Sequence, residues 1–154
     1  MSDETNLSTD VPVNFAAICA CLNIRKAARA VTSLYDMVLR PATGLRSTQA
    51  SLLMAIATAG TPTISRLAEY LVMDRTTLAR DLKPLEDQGL LRITSGGDRR
   101  TRQLQLTDAG REKLREIIPL WEQAQTKIIA AGLGYERWSK LYDDLQEVVR
   151  LAQA

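Results

Sequence analysis

The sequence contains no histidine, and this absence removes much of the chemistry by which small proteins catalyse reactions or hold metal ions. A Ser-His-Asp triad, a Cys-His pair and a histidine-ligated metal site are all excluded. No paired-carboxylate, Walker-type or GxGxxG pattern takes the place of histidine in the 154 residues. We therefore expect a protein that is not an enzyme and that binds neither a metal ion nor a cofactor.

The chain also lacks a long apolar run, and Cys19 and Cys21 are its two cysteines. A membrane span needs about 18 to 20 consecutive apolar residues, so we expect no contact with a membrane. Residues 1–13 are polar and acidic, without the basic start and apolar centre of an export signal. These features predict a cytoplasmic protein with reduced thiols and a disordered acidic tail at residues 1–13.

Apolar residues recur at helical spacing along most of the chain and predict a mainly α-helical fold. The first helix is predicted from Phe15 to about Leu39, with Pro41 and Gly44 ending it. Further helices are predicted to begin at Thr48, after a Ser65 cap, after an Asp74 cap and after a Thr107–Asp108 cap, and a last one contains residues 138–149.

One region alternates between apolar and polar residues instead. Leu91 and Ile93, then Leu104 and Leu106, flank a segment that contains SGGD, which predicts a two-stranded β-hairpin with a charged tip. Two short helices followed by such a hairpin form a winged helix-turn-helix. We predict this motif over residues 47–106, with flanking helical segments at 14–46 and 107–154.

The second helix of a helix-turn-helix enters the major groove of DNA, so its side chains opposite the leucines at 78, 82 and 85 are candidate DNA contacts. Arginine can bind guanine through two hydrogen bonds, threonine can contact a phosphate or a thymine methyl, and lysine suits a phosphate. Arginines of the hairpin tip suit the narrow minor groove. The predicted DNA contacts are Arg75, Thr76, Thr77, Arg80 and Lys83 on the helix, and Asp98, Arg99, Arg100 and Arg102 in the hairpin.

Residues 67–112 resemble the core of the MarR family of bacterial transcription regulators. The hairpin carries Asp98-x-Arg100, followed by Leu104-x-Leu106-Thr107 and Gly110. The resemblance covers about residues 14 to 152. It implies a homodimeric repressor on a palindromic operator in double-stranded DNA, released by a small ligand or by oxidation. It also implies that Arg100 enters the minor groove and that Asp98 supports it.

Two functions remain open at this point, namely a DNA-binding regulator and a winged helix that binds another protein. The apolar stripes of the first and the last two helices exceed what the small central motif can cover. This excess favours a homodimer in which segments 14–46 and 107–154 dimerise, with Trp121, Trp138, Tyr142 and Val149 in an intersubunit core. The alternative is that these helices fold back on their own motif.

The signal could be oxidation. Cys21 and Tyr35 match the spacing of a reactive cysteine and a partner-subunit tyrosine in the peroxide-sensing branch of the family, although Arg25 replaces the second tyrosine of that branch. On an intact helix, Cys19 and Cys21 point about 200° apart and cannot form a mutual disulfide. The alternative interpretation is that both are ordinary packing residues.

The rival signal is a small aromatic or anionic effector held between the dimerisation helices and the DNA-binding motif. The zinc-sensing branch of the family relies on histidine and is disfavoured here. Candidate counter-charges for an anionic effector are Arg25, Arg29 and Arg46, which the sequence does not place in one pocket.

Overall fold

The computed structural model describes residues 14–98 and 101–154. Along the chain lie α1 (Phe15–Ile18), α2 (Ala20–Thr43), α3 (Ser47–Ala59), α4 (Ile64–Leu71), α5 (Arg75–Asp87), β1 (Leu91–Ser95), β2 (Arg102–Leu106), α6 (Asp108–Ile128) and α7 (Tyr135–Ala152). A π-helical turn, Ile129–Leu133, joins α6 to α7. The predicted mainly helical fold with one antiparallel hairpin is confirmed. In the described part of the chain, every helix is too short or too polar to cross a lipid bilayer.

The core lies where α3, α4, α5, the hairpin and the first half of α6 meet. The three leucines of α5, Leu78, Leu82 and Leu85, have no exposed surface. Leu104 of β2 and Ile117 of α6 are equally buried in the same cluster. Burying one such side chain contributes about 1.5 to 3 kcal/mol, so this stripe determines which face of α5 points outward.

The predicted hairpin is present, with Leu91 opposite Leu106 and Ile93 opposite Leu104. Its second strand also fixes the start of α4, because the Leu104 amide donates to the Pro62 carbonyl at 2.9 Å. This contact holds Thr63 in an extended conformation, and the Thr63 hydroxyl accepts a hydrogen bond from the Arg66 amide. Thr63 therefore caps α4, and the predicted Ser65 cap was wrong.

The structure differs from the prediction near both ends of the first helix. The helix ends at Gly44, as predicted, but Pro41 lies inside it. Proline removes one helical hydrogen bond. The last turn is nevertheless held by the Thr43 hydroxyl, which donates to the Leu39 carbonyl at 2.8 Å and accepts from the Leu45 amide at 3.1 Å.

At the other end, the helix is interrupted at Cys19, which has an extended conformation between α1 and α2. The Leu22 amide donates to Cys19 Sγ at 3.4 Å, so the thiol caps α2. The Asn23 side chain donates to the carbonyls of Ala16 and Cys19 and holds the two helices together. The prediction that Cys19 and Cys21 share one intact helix was therefore wrong.

The start of α6 is as predicted, with the Thr107 hydroxyl accepting a hydrogen bond from the Gly110 amide at 3.0 Å. Leu114, Ile117 and Ala124 face inward, as expected from the stripe. Ile118 was also predicted to face inward, but it is exposed within this chain because it lies beside Ile117 on the outer side of the helix.

Candidate nucleic-acid interface

The two helices of the helix-turn-helix, α4 and α5, are joined by the three residues Val72, Met73 and Asp74. Val72 adopts a left-handed conformation there, and the Met73 amide donates to the Ala68 carbonyl at 2.9 Å. Asp74 then caps α5 as predicted, because its Oδ1 accepts a hydrogen bond from the Thr77 amide at 2.9 Å. Hydrogen bonds from the Thr77 hydroxyl and amide hold the pKa of Asp74 below its usual value. The cap therefore keeps its negative charge and fixes the direction in which α5 leaves the turn.

The outward face of α5 carries the predicted cations. The Arg80 side chain is 77% exposed, with its Nε 3.8 Å from Asp81 Oδ1. Lys83 forms an ion pair with Asp87, whose hydrogen bond and charge raise the lysine pKa. Exposed pairs of this kind contribute little free energy, so both cations can exchange these partners for phosphates or bases.

The threonines of α5 differ in their surroundings. Thr76 is exposed beside Arg75, whereas Thr77 is half-buried and its hydroxyl donates to Asp74 Oδ2. Thr77 thus has a capping role in the structure. Its contact with DNA remains a prediction.

The base of the wing is well formed. The Gly96 amide donates to the Thr101 carbonyl at 2.6 Å, and the Thr101 amide donates to the Asp98 carbonyl at 2.9 Å. Arg102, the first residue of β2, is exposed. Arg99 and Arg100 lie outside the described residues, so their DNA contacts and the support of Arg100 by Asp98 remain predictions.

Two grooves flank α5. The wing groove, about 730 Å³, is lined by Thr63 and Ser65 of α4 and its cap, by Arg75 and Thr76 of α5, and by Thr101 and Arg102 of the wing. The α3 groove, about 720 Å³, is lined by Arg46, Thr48 and Gln49 at the start of α3 and by Arg80 and Asp81 of α5. Basic side chains therefore line the grooves on both sides of α5 as well as its outward face.

The three arginines proposed as effector counter-charges are not brought together within the chain. Arg25 and Arg29 are neighbours on the exposed first half of α2, where Arg29 Nε donates to the Arg25 carbonyl at 3.3 Å. Arg46 follows the other end of α2, about 20 Å further along the helix axis, and lies beside Arg80.

A further cavity of about 760 Å³ opens between α3, α4, β2 and α6. Its walls are mainly apolar, with Met54 and Leu67 on one side and Trp121 on another. Arg66 and Gln103 are among its polar groups. Sequence reasoning missed Arg66, because a single arginine on the polar side of a short helix carries no periodic signal.

Cys21 and Tyr35 lie on α2, about 21 Å apart at the helical rise of 1.5 Å per residue. Cys21 is exposed. The Tyr35 hydroxyl donates to Gln125 Oε1 of α6, and burial of the Tyr35 side chain raises the pKa of this hydroxyl. Within one chain these two side chains therefore cannot meet, as the sequence indicated.

Comparison with known proteins identifies the family. The MarR family model matches residues 43–101, which contain the helix-turn-helix and the first strand of the wing. The transcriptional regulator MosR of M. tuberculosis, solved in complex with DNA, is 35% identical, with 88% of this chain and 99% of that chain covered and a TM-score of 0.77. The uncharacterized HTH-type transcriptional regulator YwoH of Bacillus subtilis is 32% identical over 94 residues, covering 61% of this chain and 68% of YwoH. The chain belongs to the MarR family.

Membership in the MarR family decides between the two functions that the sequence left open: the protein is a DNA-binding transcription regulator with a winged helix-turn-helix. The fold is also that of PcaV from Streptomyces coelicolor, solved in complex with its natural ligand, at 22% identity and a TM-score of 0.80. That match covers 93% of this chain and 99% of PcaV, so the shared fold extends over the flanking helices.

Proposed function

We propose that this MarR-family regulator is a repressor that binds a palindromic operator as a homodimer, in the bacterial cytoplasm, and is released by a small organic ligand or by oxidation. The observation that carries the proposal is the outward face of α5, where Arg80 and Lys83 lie opposite a fully buried leucine stripe and Arg75 is exposed in the first turn. A helix with this division of residues can bury its leucines in the protein and its cations in the major groove at the same time. In this proposal residues 47–106 bind DNA.

The flanking helices support the homodimer. Helix α7 has no buried residue, although Leu141, Tyr142, Val148 and Val149 form an apolar stripe along it. Exposed apolar side chains also occur at the other end of the chain and on α6, namely Phe15, Ile18, Ile24, Val31 and Ile118. Surfaces of this kind mark protein interfaces. A second copy of the chain would cover both sets, with 14–46 and 107–154 as the dimerising segments.

The first prediction concerns base recognition by α5. In an operator selected from random duplexes, Arg80→Ala is expected to cost about 1 to 3 kcal/mol of binding free energy and to relax the preference at one base in each half-site. Lys83→Ala is expected to weaken all sequences alike, because a phosphate contact carries no sequence information. Half-sites are expected about 34 to 36 Å apart, one turn of the duplex.

Fluorescence anisotropy on the selected operator and on shuffled duplexes measures both effects. Equal losses for the two variants on every duplex would contradict direct reading by Arg80. A reporter behind the operator should be expressed more strongly with Arg80→Ala than with the wild type; the reverse order would indicate an activator.

For release by a ligand, we favour the 760 Å³ cavity as the effector site. Apolar walls with a few polar groups are typical of small-molecule sites, and this volume is within their usual range. Trp121 offers an aromatic surface, and Arg66 offers a positive charge for an organic anion. Because the cavity lies between α4 and α6, a ligand bound in it would change the position of the DNA-binding motif relative to the flanking helices.

For release by oxidation, Cys21 remains the candidate. Its exposure allows a hydroperoxide to reach the thiol, which would become a sulfenic acid while the peroxide is reduced to an alcohol. The angular argument against a bond between Cys19 and Cys21 no longer applies, since α2 begins after Cys19.

The second prediction separates the two signals. Aromatic acids that release operator DNA are expected to raise the melting temperature of the wild type, because a ligand bound to the folded state stabilises it. The Arg66→Gln protein should need an acid concentration about tenfold higher or more for the same thermal shift and the same release of DNA. Any release of DNA by hydroperoxide should be unchanged in it. The measurement is a thermal-shift screen read beside DNA release.

Cys21→Ser is the reciprocal control. It should respond to the acids as the wild type does, and any release by hydroperoxide should be lost in it. Unchanged responses to both kinds of compound in both variants would exclude the cavity and Cys21 as the sensing sites.

A further inference from the structure

The two grooves beside α5 lie on opposite sides of its outward face. At 100° per residue, Ala79 in the wing groove and Pro84 in the α3 groove are about 140° apart around the helix. The leucine stripe occupies the remaining, inward side. When the outward face of α5 meets the edges of the base pairs, the wing groove therefore faces one rim of the major groove, and the α3 groove faces the other.

The wing groove has the composition of a phosphate site. Arg75 and Arg102 supply two guanidinium groups, and Ser65, Thr76 and Thr101 supply hydroxyl donors. None of the described residues that line it is acidic. Guanidinium groups and hydroxyls are the usual partners of phosphate oxygens in protein–DNA complexes.

The α3 groove has a similar composition with one difference. Arg46 and Arg80 supply the positive charge. Gln49 Oε1 accepts a hydrogen bond from the Arg46 amide, which leaves the side-chain NH₂ of Gln49 and the hydroxyl of Thr48 as donors. Asp81 also lines this groove and lies 3.8 Å from Arg80. The positive charge of Arg80 is partly balanced by Asp81, so Arg46 is the second source of positive charge that the groove offers to a phosphate.

The dimensions agree with the width of DNA. A helix with its side chains is about 10 to 12 Å wide, and the major groove of B-DNA is about 12 Å wide. We propose that the wing groove and the α3 groove each hold a phosphate, one from each strand at the two rims of the major groove, and that Arg46 belongs to this DNA interface. The two contacts fix the depth and tilt of α5, so that Arg80 reaches the base edges.

This inference rests on the placement of α5 in the major groove under the proposed function. It moves Arg46 from the expected set of effector counter-charges to the DNA interface. Arg102, which sequence reasoning assigned to the wing, becomes the contact to the opposite strand.

The test combines charge removal on the protein with charge removal on single phosphates. Operator duplexes carrying one neutral methylphosphonate at each position in turn are titrated with the wild type, Arg46→Gln, Arg102→Gln and Arg115→Gln. Arg115 is exposed on α6 and paired with Glu112, so its variant is a control with the same change of charge. The wild type should lose about three- to tenfold in affinity at one phosphate on each strand of each half-site.

Within each half-site, Arg46→Gln should show no further loss at one of those two phosphates, and Arg102→Gln should show none at the other, on the opposite strand. Each variant should also make the fall of log affinity with log salt shallower by about one unit per protomer, or about two units for the dimer. The inference is overturned if both variants couple to the same strand within a half-site, or if Arg46→Gln binds every duplex as Arg115→Gln does. A wild type that binds without salt dependence would instead overturn the placement of α5 itself.

Discussion

Replacing Gly110 with alanine is expected to lower the free energy of unfolding by about 3 kcal/mol or more. A Cβ atom at this position would lie 1.9 Å from the carbonyl oxygen of Leu90 and 2.9 Å from its carbonyl carbon. These are backbone atoms, and the same carbonyl accepts a hydrogen bond from the Thr107 amide. The overlap can be relieved only by moving the start of α6 away from the turn between α5 and β1.

The measurement is thermal unfolding at a fixed protein concentration, and a fall of roughly 6 to 12 °C in Tm is expected. Gly97→Ala is the control, because nothing lies within 4 Å of the added Cβ and its backbone does not need a positive φ. Its Tm should stay within about 2 °C of the wild type. Equal melting temperatures for the two variants would show that α6 does not approach Leu90 this closely. Operator affinity should fall with Gly110→Ala, since α6 joins the DNA-binding motif to the flanking helices.

The elements that could be predicted from the sequence are those that neighbouring residues determine. Asp74 and Thr107 cap their helices through groups three residues away, so spacing alone identified them. The inward face of the hairpin follows from the alternation of Leu91, Ile93 and Leu104, because a shift by one residue would turn these side chains to the other face. The outward side chains of α5 follow from the buried leucine stripe in the same way.

The features that the sequence did not reveal depend on contacts between distant segments. Thr63 replaces Ser65 as the cap because Thr63 pairs with Gln103 of β2, forty positions later in the chain. Arg46 lies beside Arg80 only after α3 has packed against α5. The interruption at Cys19 is local, but cysteine is not among the preferred capping residues, so no sequence signal predicts it.

The expected result of placing a charge in the apolar stripe of α7 is a monomer that binds its operator poorly. Leu145 lies in that stripe between Leu141 and Val148; it is half-buried, and no residue of α7 is fully buried in the described part of its own chain. If a second copy covers the stripe, Leu145→Glu places an unpaired carboxylate in the dimer core, where its desolvation costs several kcal/mol. Lys140→Gln makes the same change of net charge on the opposite face of α7 and is the matched control.

Removing residues 134–154 is the stronger form of this change, and it should give a monomeric or insoluble protein. Light scattering measures the mass, and anisotropy on the palindromic operator measures the affinity. A protein that binds one half-site at a time loses the gain from linking two contacts, so an affinity about 100-fold lower or worse is expected for Leu145→Glu. The Lys140→Gln protein should remain dimeric with full affinity. If Leu145→Glu or the truncated protein also remained dimeric with full affinity, the dimer contact would have to lie on α1, α2 and α6 alone, and the exposed stripe of α7 would need another partner.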